Sequence, residues 1–249
     1  AQSHPYITTG LKQNKFGIPS EEAEGVFKFA ATMSNLEVVG VHAHIGSQIT
    51  KIEPFVEAAS FLTRFVKSLR EAGMPINHID FGGGFGVQYL NALCHEALPV
   101  EPDNALVPPL RQFMEALVPV LREAGCSVWF EPGRAIVANA GVLLTKVLYT
   151  KQNGAKKFVV VDAGMNDLIR PSLYGAYHQI VPLKLQTYEQ EHADVVGPIC
   201  ETGDFFARDR LLPKSKRDDY LAVMTSGAYG FSITSNYNAR PRPAESLVK

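Results

Sequence analysis

Apolar and polar positions recur along this chain in two different ways, and the change falls near residues 135 to 142. Before it, helical and extended periods take turns. In "EEAEGVFKFAATMS" (residues 21–34) Ala23, Val26, Phe27, Ala30 and Ala31 share one helical face, with Ser20 as the expected N-cap after Pro19. "LEVVGVHAHI" (36–45) is rich in β-branched residues and reads as a strand. "PFVEAASFLTRFVKSLREAG" (54–73) is a strongly amphipathic helix closed by Gly73. A strand "INHIDFGG", a helix over 106–125 and a strand "CSVWFEPGR" follow. Alternation at these spacings predicts parallel strands joined by helical crossovers, an α/β arrangement. Three such units cannot close a parallel sheet at both edges. This half therefore reads as the later part of a β/α barrel whose early strands are absent.

Past the change no long helical period remains. "AGVLLTKVLYTKQNGAKKFVVVDAG" predicts two strands joined by a turn at Asn153-Gly154. Shorter apolar runs at "HQIVPLKL", "ADVVGPIC" and "DYLAVMTSGA" predict further strands. The expected organisation is a partial β/α barrel over 1–138 and a mainly β domain over 139–249, truncated at its end because "RPRPAESLVK" stops inside a strand.

Composition narrows the function classes. The 249 residues are 46% hydrophobic and 20% charged, enough for a substantial core, and the net charge of -1 favours neither nucleic acid nor an anionic membrane. No apolar run is long enough to span a bilayer and no signal peptide is evident, so no membrane partner is expected. Three scattered cysteines, Cys94, Cys126 and Cys200, form no CxxC pair. They point to a reducing, cytoplasmic setting and to no metal site.

In a β/α barrel the chemistry gathers where strands run into the following loops. Here those ends read "HAHIGSQ", "DFGGGFG" and "FEPGR", together offering His, Ser, backbone amides, Glu and Arg. Such a set suits an anionic, aromatic cofactor, with glycine backbone facing a phosphate. The glycine spacing is not that of the Rossmann fingerprint. Taken singly, each group has an ordinary structural reading: His44 as a satisfied, partly buried histidine, Glu131 as the start of a turn, Arg134 as one half of an ion pair, Gly82–Gly84 as a tight turn. Cys200, followed at once by Glu201 and Asp204, suits an exposed reactive loop better than a core.

Six segments, "HAHIGSQI", "DFGGGFG", "EPGR", "RPSLYGAYH", "CETGD" and "SGAYGFSITSNYNARPRPAE", stand in the order found in diaminopimelate decarboxylases, and the chain resembles that family over nearly its whole length. The resemblance implies an alanine-racemase-like barrel followed by a β-domain, pyridoxal 5'-phosphate as cofactor, and conversion of meso-2,6-diaminopimelate to L-lysine and carbon dioxide, the last step of lysine biosynthesis. It implies that His44 stacks on the cofactor ring and that Glu131 keeps the ring nitrogen protonated. Ser47, Gly83, Gly84, Gly133, Arg134 and Tyr229 would complete the cofactor set, with the phosphate near Ser47 and the glycines. Arg134, Arg170, Tyr174 and Tyr229 would hold the substrate, and Glu201 its distal ammonium. Cys200 would protonate the carbanion left when carbon dioxide departs. The family's loop of this kind enters the site of a second copy, implying a homodimer with shared active sites. The family's cofactor lysine has no counterpart here; Lys12 and Lys15 belong to a different segment, and the bare polypeptide is expected to be inactive. Thr202 stands where the family commonly has serine. The readings that compete are another decarboxylase of the same fold type, acting on ornithine, arginine or carboxynorspermidine, and a catalytically dead regulatory homologue.

Overall fold

The alternation of the first half becomes α1 (Ser20–Ala31), β1 (Gly40–His42), α2 (Glu53–Glu71), β2 (His78–Asp80), α3 (Leu110–Arg122), β3 (Ser127–Trp129) and α4 (Gly133–Val137). The structure, a computed structural model, describes residues 15–102, 106–184 and 189–248. It separates into two compact units, one of Ala1–Val87 and Val107–Ala135, the other of Gln88–Leu106 and Ile136–Lys249. Within the connection between β2 and α3, Gln88–Leu106 thus group with the later part of the chain.

In the first unit the three strands are parallel in the order β1-β2-β3. His42, Asp80 and Trp129 lie abreast at their C-terminal ends. Beyond β1 and β2 the backbone turns, with positive φ at Gly46, Gly82 and Gly84. Ser20 is not the N-cap. Pro19 takes that position, and the Ser20 hydroxyl donates to the Glu21 carboxylate at 3.3 Å. Of the face expected on α1 only Ala23 is buried; Phe27 and Ala30 are half-buried, Val26 and Ala31 exposed. Helix α2 carries Pro54 in its first turn and gives way at Gly73, whose φ is +85°. Helix α3 begins at Leu110 rather than 106 because Pro108 and Pro109 bias the residues before them away from helical backbone. Phe55 of α2 stacks on Phe85 at 4.6 Å, and Phe113 of α3 meets both edge-on at 5.2 and 5.4 Å. All three rings are buried, each contributing about 2–3 kcal/mol through burial.

The second unit holds β4 (Leu143–Asn153), β5 (Lys156–Val161), α5 (Arg170–Tyr174), β6 (Ile180–Pro182), β7 (Gln190–Val196), β8 (Phe205–Pro213) and β9 (Tyr220–Val223). They form one sheet in the order β6-β9-β4-β5-β7-β8, and its two edge strands touch, so it curls almost shut. The Asn153-Gly154 turn joins β4 to β5, with Gly154 at φ +57°. Strand β8 was not visible in the pattern. Its run "FFARDRLLP" is broken by charges, and a positive φ at Asp209 and a shifted register against β7 destroy the period of two. The strand expected in "RPRPAESLVK" does not form: residues 241–248 carry no regular structure, and Pro241 and Pro243 have no N–H to give a ladder. Leu185, the end of the run expected around β6, lies outside the described residues.

Candidate functional site

Because β1, β2 and β3 run parallel and in register, the residues two beyond their aligned ends, His44, Gly82 and Glu131, share one edge of the first unit. Gly82 and Gly84 have φ of +67° and +93°, where a side chain is strained. A Cβ at Gly82 would lie 2.7 Å from the Ala43 carbonyl oxygen, at Gly83 2.2 Å from that of Glu131, and at Gly84 2.3 Å from that of Gly46. The three glycines therefore let the backbones of adjacent strand ends interlock. This packing of protein backbone demands them before any ligand is considered. Phe81 and Phe85, buried on either side, pin the turn; the sequence reading passed over them, although an apolar residue at each end of a glycine run was the available signal.

The turn also fixes His44. The Gly83 N–H donates to His44 Nδ1 at 3.2 Å, so in the neutral ring the proton sits on Nε2. Partial burial holds the His44 pKa below its ordinary 6.5; neighbouring His42 adds to this, while Glu131 and Asp80 oppose it. The Gly82 N–H donates to Asp80 Oδ1 at 2.9 Å. Glu131 is anchored by its own N–H to Gly82 O at 2.8 Å and leaves its carboxylate exposed, 3.5 Å from His42 Nε2. Arg134, buried in α4, donates from Nη2 to Ser47 Oγ at 2.9 Å. Gly133 donates to Glu131 O at 2.8 Å, but no described atom lies within 4 Å of where its Cβ would be. "EPGR" is thus a strand end running directly into a short helix.

In the second unit Cys200 and Glu201 sit exposed on the turn between β7 and β8. Asp204, buried beneath them, holds the turn. Its two carboxylate oxygens accept the Met165 and Ile199 N–H groups at 2.6 Å each, and a Cβ at Gly197 would meet them at 2.4 and 2.5 Å. Burial raises the Asp204 pKa above its ordinary 3.8, although both amide bonds pull it down. The sequence reading noted Asp204 only for its charge. Its anchoring role was legible in nothing but its closeness to Cys200. Helix α5 presents Arg170 and Tyr174 four residues apart, on one face, and its Ser172 hydroxyl donates to the Gly203 carbonyl of the same turn. Tyr237 donates to Glu201 Oε2 at 3.4 Å. Arg170 is buried, with Nη1 2.7 Å from His178 Nε2 and its guanidinium 4.6 Å from the centre of the Tyr89 ring. Tyr229 is exposed with φ +56°, and Thr225, four residues earlier, has φ +57°. Left-handed backbone at a bulky and a β-branched residue marks a strained loop, the kind that persists where geometry serves a ligand.

The sequence-derived candidates thus divide. His44, Ser47, Gly83, Gly84, Glu131, Gly133 and Arg134 gather at the strand ends of the first unit; Arg170, Tyr174, Cys200, Glu201 and Tyr229 belong to the second. Lys12 lies outside the described residues. Among the described residues no helix is long and apolar enough to cross a membrane.

Residues 14–227 match the family model described as "Pyridoxal-dependent decarboxylase, C-terminal sheet domain". The chain is similar to the diaminopimelate decarboxylase of Pseudomonas aeruginosa, 49% identical over 248 residues that make up 100% of this chain and 56% of that protein. It is 44% identical over 248 residues to that of Aquifex aeolicus, covering the same shares, 100% and 56%. Among solved structures it superposes on diaminopimelate decarboxylase from Helicobacter pylori, crystallised in complex with L-lysine, with a TM-score of 0.86 and 42% identity over 97% of this chain and 57% of that one. The chain spans just over half the length of the curated relatives it matches.

Proposed function

The chain belongs to the pyridoxal-dependent decarboxylases, and from that premise we propose that the whole protein removes one carboxylate of meso-2,6-diaminopimelate as carbon dioxide and leaves L-lysine. The observation that carries this choice of substrate is the run of relatives of one name, each similar to this chain along all or nearly all of its length. The chemistry of the candidates agrees with it. A substrate with an amino-acid group at both ends needs cations for two carboxylates and an anion for the distal ammonium, and Arg134, Arg170 and Glu201 are of those types.

The strand-end residues fit pyridoxal 5'-phosphate. Partial burial lowers the His44 pKa and so favours the neutral ring, which suits stacking on an aromatic plane, and the exposed Glu131 carboxylate suits a protonated ring nitrogen. Bound there, the cofactor supplies an electron sink for the negative charge that decarboxylation leaves on the substrate. Gly83 serves this arrangement through His44, whose ring its amide fixes. Ser47, Gly133, Arg134, Tyr229 and the backbone at Gly84 are the remaining candidates for the cofactor, and Tyr229 is a candidate for the substrate as well. Arg134, Arg170 and Tyr174 hold carboxylates, Glu201 the distal ammonium, and Cys200 Sγ delivers the proton that replaces carbon dioxide. Two copies share their active sites in a homodimer, and the enzyme works in the cytoplasm. In the full-length protein, Cys200→Ala is expected to lower turnover while the visible absorbance of bound pyridoxal phosphate persists. Loss of that absorbance would instead make Cys200 a structural residue.

A further inference from the structure

Two of the three charge-bearing candidates for substrate recognition sit near the surface or beside a hydroxyl, but Arg170 is held inside a buried polar cluster. His178 is its centre. The ring is fully buried, with Nδ1 2.8 Å from the Met224 carbonyl oxygen and Nε2 2.7 Å from Arg170 Nη1. A carbonyl only accepts and a guanidinium only donates, so the ring must be the neutral tautomer with its proton on Nδ1. Tyr89 packs edge-on against His178 at 5.2 Å and lies under the Arg170 guanidinium.

The neighbours of His178 in the chain are pinned as well. Gln179 exchanges two bonds with the backbone of Leu93, at 2.7 and 3.0 Å. Tyr177 donates to Glu101 at 3.0 Å and stacks on Arg210 at 3.9 Å, and burial pushes its pKa up to about 12. Arg210 in turn donates to the His178 carbonyl. His178 thus sits on a backbone held from both sides.

We infer that His178 is a positioning residue for Arg170: its bare Nε2 aims the guanidinium in advance, so that a substrate carboxylate meets an ordered partner. A neutral histidine acceptor suits this task because it orients the guanidinium by a hydrogen bond and brings no opposing charge of its own. An arginine fixed beforehand also spares the cost of ordering a long side chain on binding. The inference rests on the reading of Arg170 as a substrate-carboxylate ligand.

Asparagine and glutamine separate the two ring nitrogens. His178→Asn keeps a donor near Nδ1 and removes the acceptor that faces Arg170. His178→Gln keeps an acceptor near Nε2 and removes the donor to Met224. In the full-length enzyme loaded with pyridoxal phosphate, His178→Asn is expected to raise KM for meso-diaminopimelate about tenfold with kcat within about threefold, whereas His178→Gln keeps KM within about threefold. Thermal unfolding of both variants is read alongside. If the two variants raise KM equally, or if KM follows the loss of thermal stability, His178 is merely structural and the inference fails. Arg170→Lys is the companion measurement: an unchanged KM there overturns the reading of Arg170, and the inference with it, whereas a raised KM with equal Asn and Gln effects overturns the inference alone.

Discussion

Replacing Gly83 with alanine puts the interlocked strand ends to the test. The added methyl would stand 2.2 Å from the Glu131 carbonyl oxygen, so one of the two backbones must retreat by about 1 Å to reach ordinary contact. Neither can move alone. Gly83 is flanked by buried Phe81 and Phe85, and Glu131 is tied to Gly82 through its own N–H at 2.8 Å. Overpacking of this kind costs about 1–3 kcal/mol, and loss of the Glu131–Gly82 bond would add about 1 kcal/mol. For Gly83→Ala the expected destabilisation is therefore about 2–4 kcal/mol. Because the displaced atoms carry the Glu131 side chain and the amide that fixes His44, affinity for pyridoxal phosphate should fall together with stability. Urea unfolding of the full-length apoprotein and absorbance titration with the cofactor measure the two effects. Gly25→Ala is the control: it lies inside α1 with no described atom within 4 Å of the new methyl, and helix propensity alone should leave stability unchanged or raise it by up to about 1 kcal/mol. A Gly83→Ala protein with the stability and cofactor affinity of the parent would refute the interlocking argument.

Two further outcomes follow from one half-buried and one buried ionisable group. His44 has a folded pKa below 6.5, so the unfolded chain takes up its proton first as pH falls; the stability contributed by the neutral ring is full above about 6.5 and is lost as the pH drops below it. Ring-selective NMR of the apoprotein should give a His44 midpoint under 6.5, moved lower still in Glu131→Gln because Glu131 opposes the depression; a midpoint at or above 6.5 contradicts the burial argument. Asp204→Ala leaves the Met165 and Ile199 amides without their acceptor, a loss of about 2–4 kcal/mol in urea unfolding. Asp204→Asn, which retains one acceptor, should lose less, and an alanine variant as stable as its parent would show that Asp204 does not anchor the Cys200 turn.

How much of this was legible in the residues depended on whether a local pattern carried the information. The long amphipathic helices α2 and α3 announced themselves by period and by Gly73 and Gly125 beyond their ends. The β4–β5 hairpin was announced by Asn153-Gly154. Strand β8 was hidden, because a bulged strand bearing Arg208, Asp209 and Arg210 has no alternation to read. At the candidate site, residue types were visible one strand end at a time, while their common edge required the parallel register that pairs His42, Asp80 and Trp129. Supporting residues were least visible. Asp204 and His178 act through backbone carbonyls and amides far away in sequence, such as Met165 and Met224, and no spacing rule connects such pairs. The burial of α1 was not legible for a related reason: a helical period shows which face is apolar, but not whether a neighbour covers it.

The central claim, decarboxylation of diaminopimelate, is tested most directly with the full-length protein and pyridoxal phosphate. Carbon dioxide and amino-acid products would be measured from meso-diaminopimelate, ornithine, arginine and carboxynorspermidine in parallel. The account predicts cofactor absorbance, release of L-lysine from meso-diaminopimelate, and far slower turnover of the other three. A protein that binds the cofactor yet leaves meso-diaminopimelate intact, or that prefers one of the others, would contradict it.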